Sequence, residues 1–524
     1  MADNSQTGET SSFRRDERTL ARHLRNEAAL NPAVGGGSFS TKAARGSAVA
    51  LGFHGLFLTL QIAQLAILSR LLTPDDFGVV GMAVAVTGFV RLFQDMGLTN
   101  ATIQRRNIDQ SLVSALFFLN LAVGIGLMLL CWLAAPVAGF VFDDVRVSLV
   151  IVFLALTIPL LALRAQHWAL VSRRMEFLKL NIGQLTSNAA GMTVACLAAW
   201  RTDLGYWSIV VGQLVSGMVD VGFFWIASNW VPSMPKPGSG VRSAVDFGIR
   251  IMLANILGWV WKQSDNALIG WRWGSAELGY YARAYSILLM PLMVISGPVA
   301  SAVIPALSRL QDEHEKWADL FTRAARAVTA MSALVAAILF INAGFIIDLA
   351  LGPGWDQSRM IFAVLVLSVL PSITWELARF VFLSLGRSDV MLKCSLLAGP
   401  LHLVAFVIGL QHGPIGVAWG LVGVSWFLAV PILMISARTA GIPSMRLLID
   451  VIPPIAGFVA ALAAIPLLAG LEASPLVRAL ALGAVASGLF VVATATLAAF
   501  CPSWRSDMSW AVNRVGQISR IMAA

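Results

Sequence analysis

The sequence predicts an all-α polytopic membrane protein. It has fourteen transmembrane helices, arranged as two pseudo-symmetric six-helix lobes plus two C-terminal helices. Three observations predict this. Of 524 residues, 58% are hydrophobic and only 12% are charged, about half the charge of a soluble domain. The mean hydropathy is +0.77. The apolar residues gather into fourteen runs, each long enough for a hydrocarbon core of about 30 Å. This composition excludes a soluble enzyme, a disordered scaffold, a coiled coil and a disulfide-rich secreted domain.

The elements come in order along the chain. Residues 1–40 are polar, with RRDER at 14–18 and GGG at 35–37. They read as a disordered, basic cytoplasmic tail, with Thr19–Leu30 able to form a short basic helix on a membrane surface. The first apolar run starts only near Ala48, too late for a cleavable signal peptide. Runs at 46–69, 78–101, 112–134, 146–165, 180–200 and 205–228 form an N-terminal lobe, 41–230. Residues 231–243 are a cytoplasmic linker. Runs at 245–270, 279–305, 326–350, 359–384, 391–410 and 414–436 form the second lobe, 244–437. Runs at 449–470 and 476–499 are the two extra helices within 438–500, and 501–524 is a cytoplasmic tail.

Basic residues set the orientation. With the N-terminus inside, twenty-five of the 37 Lys and Arg lie in cytoplasmic segments, Arg326 among them. The opposite side holds six, which are Arg70, Arg146, Arg201, Arg272, Arg359 and Arg478. Such a bias predicts both termini in the cytoplasm. It also accounts for the net charge of +9 without any nucleic acid. Cys131, Cys196, Cys394 and Cys501 are far apart, and the six histidines are scattered, so no metal or redox spacing is present and no cofactor is expected. No P-loop occurs, and no connection leaves room for a catalytic domain.

The chain carries an internal echo. AILSRLLTPDDFGVVGMA at 66–83 aligns with ALIGWRWGSAELGYYARA at 267–284, which sets Asp76 on Glu277. Each reads as a helix, a turn ending in an acid, and a second helix that the acid caps. LVSRRMEFLK at 170–179 aligns with LSLGRSDVML at 383–392, which sets Arg174 on Arg387. Two homologous halves form a transporter plan, with substrate bound near the midplane and access alternating as the halves rock.

Charges inside spanning helices cost about 2.5–3.5 kcal/mol each on insertion scales and mark wet interiors. Here they are Arg91, Arg164, Arg250, Lys262, Arg283 and Arg379 against Asp95, Asp220, Asp246, Asp265 and Glu376. Helical spacing pairs Arg91 with Asp95, Asp246 with Arg250, Lys262 with Asp265, and Glu376 with Arg379. That spacing leaves Arg164 and Arg283 over as cations and Asp220 as a lone acid. For Arg164 and Arg379 snorkelling is the rival reading, and for Asp246 with Arg250 an interfacial pair. A buried structural salt bridge is the rival for the deeper charges. The slight positive excess suits an anionic substrate such as a phosphate or a uronic acid.

The candidate substrate-binding residues are therefore Arg91, Arg250, Lys262, Arg283 and Arg379. Gln61 and Gln64 join them on the first helix, where they align with Lys262 and Asp265. Asp95, Asp265 and Glu376 are the candidates for ion coupling or salt bridges. Trp259, Trp261, Trp271, Trp273, Tyr280 and Tyr281 read as an interfacial aromatic belt, with sugar stacking as the alternative. The acids Asp75-Asp76 and Asp143-Asp144 are the only catalytic candidates on the outer side, and helix ends explain their positions.

LSRLLTPDDFGVVGMA followed by GFVRLFQDMGLTNATIQRR resembles the N-terminal signature of Wzx-type polysaccharide repeat-unit flippases, members of the multidrug/oligosaccharidyl-lipid/polysaccharide exporter superfamily. SDNALIGWRWGSAELGYYARAY at 264–285, ASAVIPALSRLQDE at 300–313 and FLSLGRSDVMLK at 382–393 resemble its later segments. The resemblance covers roughly residues 40–500. It implies a fourteen-helix, MATE-like fold that works as a monomer. It implies a non-enzymatic transporter of the bacterial inner membrane that moves undecaprenyl-pyrophosphate-linked oligosaccharide to the periplasmic leaflet. Exopolysaccharides such as colanic acid or succinoglycan are the implied products. A polysaccharide polymerase and a chain-length regulator are the implied neighbours. The long polar N-terminus departs from the family pattern. A cation-coupled multidrug or small-molecule exporter, a lipid II flippase and a membrane glycosyltransferase or polymerase are the alternatives. The basic excess argues against the first of these, since cationic drugs want an acidic, aromatic cavity.

Overall fold

The computed structural model describes residues 26, 27, 30, 39–94, 98–105, 108–234, 241–501 and 504. Among these no residue is in a strand, and all fourteen apolar runs lie mainly on helix. The chain divides into two compact units, Met1–Gln263 and Ser264–Ala524.

In the first unit, Phe39–Leu71 is followed by Pro74–Arg91, Leu98–Gln104, Gln110–Val141, Val145–Ala155, Thr157–Arg173, Phe177–Arg201 and Trp207–Ser228. The break between the first two helices is built by a capping box. Thr73 Oγ1 accepts from the Asp76 amide, Asp76 accepts from the Thr73 amide, and Pro74 takes the first helical position. The expected continuous run over 78–101 is interrupted, because its helix stops at Arg91 and the next begins at Leu98. Phe177–Arg201 packs along Trp207–Ser228. A side chain at Gly191 would stand 2.6 Å from the Gly212 carbonyl, so glycine is what lets the two backbones meet.

The second unit begins inside the helix Val241–Arg309, which breaks at Gly274 with φ 84°. His314–Ile341, Ala343–Leu351, Asp356–Val366, Val369–Ser384, Ser388–Gly409, Gly413–Thr439, Ser444–Ala461, Ala464–Leu467 and Pro475–Ala498 follow. Among the described residues, seven helices are long and apolar enough to cross a membrane, or eight if the pair bent by 48° between Val366 and Val369 is one span. Fewer pass than the fourteen expected; one that passes, Ser388–Thr439, takes in two of the expected runs, and Phe177–Arg201, which carries Lys179, Asn181, Gln184 and Asn188, is not among them.

The left-handed residues repeat between the halves. Asp143, Met175, Gly205 and Asn229 have counterparts in Gly352, Gly386, Gly413 and Gly441, at separations of 209, 211, 208 and 212 residues. Met175 closes the helix ending at Arg173, with the Glu176 amide donating to Val171. Gly386 closes the helix ending at Ser384, with the Arg387 amide donating to Phe382. These are the same turn, so Arg387 corresponds to Glu176, and the expected match of Arg174 with Arg387 is off by two residues. The letters aligned two arginines, whereas the backbone aligns the residues that reverse the chain.

One end of the first unit is a polar plate over an apolar cluster. Leu30, Leu98, Leu112, Leu116, Phe117, Leu170 and Trp230 pack together there. Asn26 Nδ2 donates to the Val231 carbonyl at 3.0 Å, and Asn26 Oδ1 accepts from the Val231 amide at 3.1 Å. Asn26 and Leu30 are buried, although they lie in the segment that composition marks as a solvated tail. The rest of residues 1–38, apart from Glu27, lies outside the described residues. Arg173 donates to the Thr102 and Ile103 carbonyls, and Arg174 to that of Ser228. Gln110 Nε2 reaches Val231, and Gln110 Oε1 accepts from Trp230 Nε1.

Candidate functional site

The charges expected inside the helices fall into three groups. In the first unit, Arg164 Nη1 meets Asp220 Oδ2 at 2.8 Å across the helices Thr157–Arg173 and Trp207–Ser228. Sequence spacing left Arg164 and Asp220 separate; the structure pairs them. Spacing along one helix is blind to a partner 56 residues away. Arg164 also lies over the Phe224 and Trp168 rings at 5.7 and 5.9 Å, where a desolvated cation gains from the π face. Arg91 is exposed. It ends its helix, and Asp95 lies outside the described residues. Gln61 is exposed and Gln64 half-buried on the first helix.

In the second unit, Asp265 is fully enclosed. Tyr281 Oη donates to its Oδ2 at 2.9 Å, and the Asn266 amide to its Oδ1 at 2.7 Å. Tyr285 stacks on Tyr281 at 6.0 Å. Tyr281, grouped with the interfacial belt by sequence, is instead buried as the partner of this carboxylate. Trp273 and Trp271 are exposed, and Trp273 Nε1 donates to the Leu410 carbonyl. Glu376 and Arg379 form the pair that their spacing predicts, at 2.6 Å with both side chains about a third exposed. Arg283 is half-buried on the helix after Gly274. The side chains of Asp246, Arg250, Trp259, Trp261 and Lys262 lie outside the described residues.

The third group escapes the sequence reading. Arg326, which hydropathy assigns to the cytoplasmic cations, sits well inside the helix His314–Ile341 and meets Asp450 at 2.9 Å. Both side chains are nearly inaccessible, at 2% and 4%. Trp504 Nε1 donates to the Asp450 carbonyl. The helix begins twelve residues before the apolar run, of which Arg326 is the first residue, so the arginine read as a cation at the cytoplasmic end of a span. The amphipathic start of that helix was the available signal.

The acids expected on the outer side have structural occupations. Arg146 holds Asp75 through two bonds, at 2.6 and 3.1 Å, and Asp144 at 2.8 Å. Asp144 also caps its helix, and Asp76 accepts from the Tyr206 amide at 2.9 Å. On another turn, Arg387 Nε meets Asp389 Oδ1 at 3.1 Å, with both side chains exposed. Among the described residues, no group of His, Cys, Asp or Glu is arranged to hold a metal ion.

These helices and buried charges define a multi-pass membrane protein. Its fold is that of a lipid II flippase, MurJ, in an inward closed conformation, at a TM-score of 0.68 and 11% identity over 84% of this chain and 98% of that one. An inward-facing MATE family transporter of the MOP superfamily matches at 0.61 and 13% identity, over 73% and 94%. The chain belongs to the family described as polysaccharide biosynthesis protein, which matches residues 67–360, more than half its length. Among its relatives are the lipopolysaccharide biosynthesis protein WzxC of Escherichia coli, 23% identical over 69% of this chain and 74% of that one. The succinoglycan biosynthesis transport protein ExoT of Rhizobium meliloti is 23% identical over 59% and 62%. The teichuronic acid biosynthesis protein TuaB of Bacillus subtilis is 25% identical over 63% and 69%.

Proposed function

We propose that this protein is a flippase for undecaprenyl-pyrophosphate-linked oligosaccharide repeat units of the exopolysaccharide or O-antigen type. It works in the bacterial inner membrane by alternating access between two six-helix lobes, with two further helices and both termini in the cytoplasm. The observation that carries the proposal is the charged set held among the helices of the first unit, the Arg164–Asp220 ion pair together with Arg91 at the end of its helix. Arg164 is balanced by Asp220, while the exposed Arg91 offers an anion a bidentate partner. Arg283 and Arg379 offer the same chemistry on the second unit, and Gln61 and Gln64 supply hydrogen bonds to sugar hydroxyls. The polyprenyl tail stays in lipid. Asp265, shielded and held by Tyr281, is the carboxylate placed to exchange a proton during the cycle. The names of the relatives support a polysaccharide precursor as cargo.

The test is the lipid content of a deletion strain. A complete polyprenyl-linked repeat unit trapped on the cytoplasmic leaflet is the expected result. Incomplete glycans, or finished units already outside, would move the protein to synthesis or polymerisation.

A further inference from the structure

We propose that the first unit carries a binding site for an anionic phospholipid where the helices Phe39–Leu71 and Phe177–Arg201 end side by side. A crevice of about 350 Å³ lies between them, lined by Ile67, Arg70, Leu71, Cys196, Leu197 and Trp200. Its walls are apolar, and Leu197 and Trp200 are 50% and 62% exposed. In a spanning protein such a slot meets hydrocarbon, and an acyl chain is the occupant that gains by filling it.

The rim selects the head group. Arg201 lies over the Trp200 ring at 4.3 Å, so the wall that meets the chain also holds the cation. Arg70 stands on the same rim, one Nη1 bond spent on the Ala66 carbonyl at 2.8 Å. A cation at a helix C-terminus gains from the dipole of its own helix, and Arg70 does so. Arg201 likewise lies in the last turn of its helix, and its guanidinium also lies over an exposed indole. Both arginines are also among the six cations on the side that is poor in Lys and Arg. A phosphodiester between two guanidiniums, with its chain in the slot, satisfies both halves of the site. This inference rests on the membrane reading and not on the identity of the cargo.

Cys196 lines the crevice and reports its occupancy. Cys131 and Cys394 are buried, so Cys501→Ser leaves Cys196 as the reactive thiol. The full chain in detergent is alkylated with a maleimide in the presence of phosphatidylglycerol, phosphatidylcholine or glycerol 3-phosphate. Phosphatidylglycerol is expected to slow alkylation roughly tenfold, a gain of the size that two interfacial cations give with anionic lipid. The other two additives are expected to leave it unchanged. Arg70→Gln with Arg201→Gln should abolish the protection without lowering the melting temperature. Equal protection by phosphatidylcholine would reduce the site to ordinary lipid contact and overturn the proposal. Protection by glycerol 3-phosphate alone would make it a phosphate site, which also overturns it, as would protection that survives the double variant.

Discussion

Arg326 and Asp450 are 2.9 Å apart and almost wholly withdrawn from solvent. They join the helix His314–Ile341 to Ser444–Ala461. Neither charge has water to fall back on, so the loss of either leaves its partner in a dry interior.

Removing one partner should therefore cost far more than removing both. Asp450→Asn or Arg326→Met alone leaves a buried charge uncompensated, a loss of about 3–5 kcal/mol. The double variant Arg326→Met with Asp450→Leu should melt close to the parent. Thermal unfolding in detergent checks this, and equal loss from single and double variants would show that the pair is not the relevant unit.

Asn26 should hold the loop at Val231. Its side chain both donates to and accepts from that residue's backbone. Asn26→Ala should speed hydrogen exchange at the Val231 amide roughly three- to tenfold, the worth of about one hydrogen bond. Unchanged exchange would return this segment to the solvated tail that composition describes.

Arg91 and Arg164 should fail in different ways. Arg91→Glu places a like charge against an anionic head group, which costs several kcal/mol. Polymer export should fall by more than about tenfold while protein level holds. Arg164→Gln strands Asp220 and should lower the melting temperature. Full export by Arg91→Glu would remove Arg91 from the transport path. Arg283→Glu is expected to behave like Arg91→Glu.

Orientation is open to chemical labelling. Single cysteines at the exposed positions 203 and 387 should react from opposite sides of the membrane, 203 from the periplasm and 387 only after permeabilisation. The reverse pattern would invert the assignment of the termini.

The helices were legible because apolar runs and their caps are local properties. Thr73, Pro74 and Asp76 announce a helix start in four letters, and the structure builds it. Glu376 with Arg379 was legible for the same reason, since three residues of helix fix the pairing. Arg164 with Asp220 and Arg326 with Asp450 were not, because their partners stand 56 and 124 residues away. Tyr281 misled by composition. An aromatic near a helix end reads as a membrane anchor until its hydroxyl is seen to have a carboxylate to serve. Asn26 was invisible because a single buried amide leaves no mark on the polarity of forty residues.

The spacing of the reversed turns also shows where the two halves differ in length. Thr73 caps the first break and Gly274 makes its equivalent 201 residues later. By Asp143 and Gly352 the interval is 209, and it then stays between 208 and 212. The two halves thus differ in length by eight residues between these two turns, and by two to four residues between successive later turns. The largest difference falls at a single joint, and the other bends keep nearly the same register. Three of those bends are still made by Asp143, Met175 and Asn229, in a conformation that glycine adopts without penalty. Each is a place where a one-residue change to glycine should make the protein sturdier.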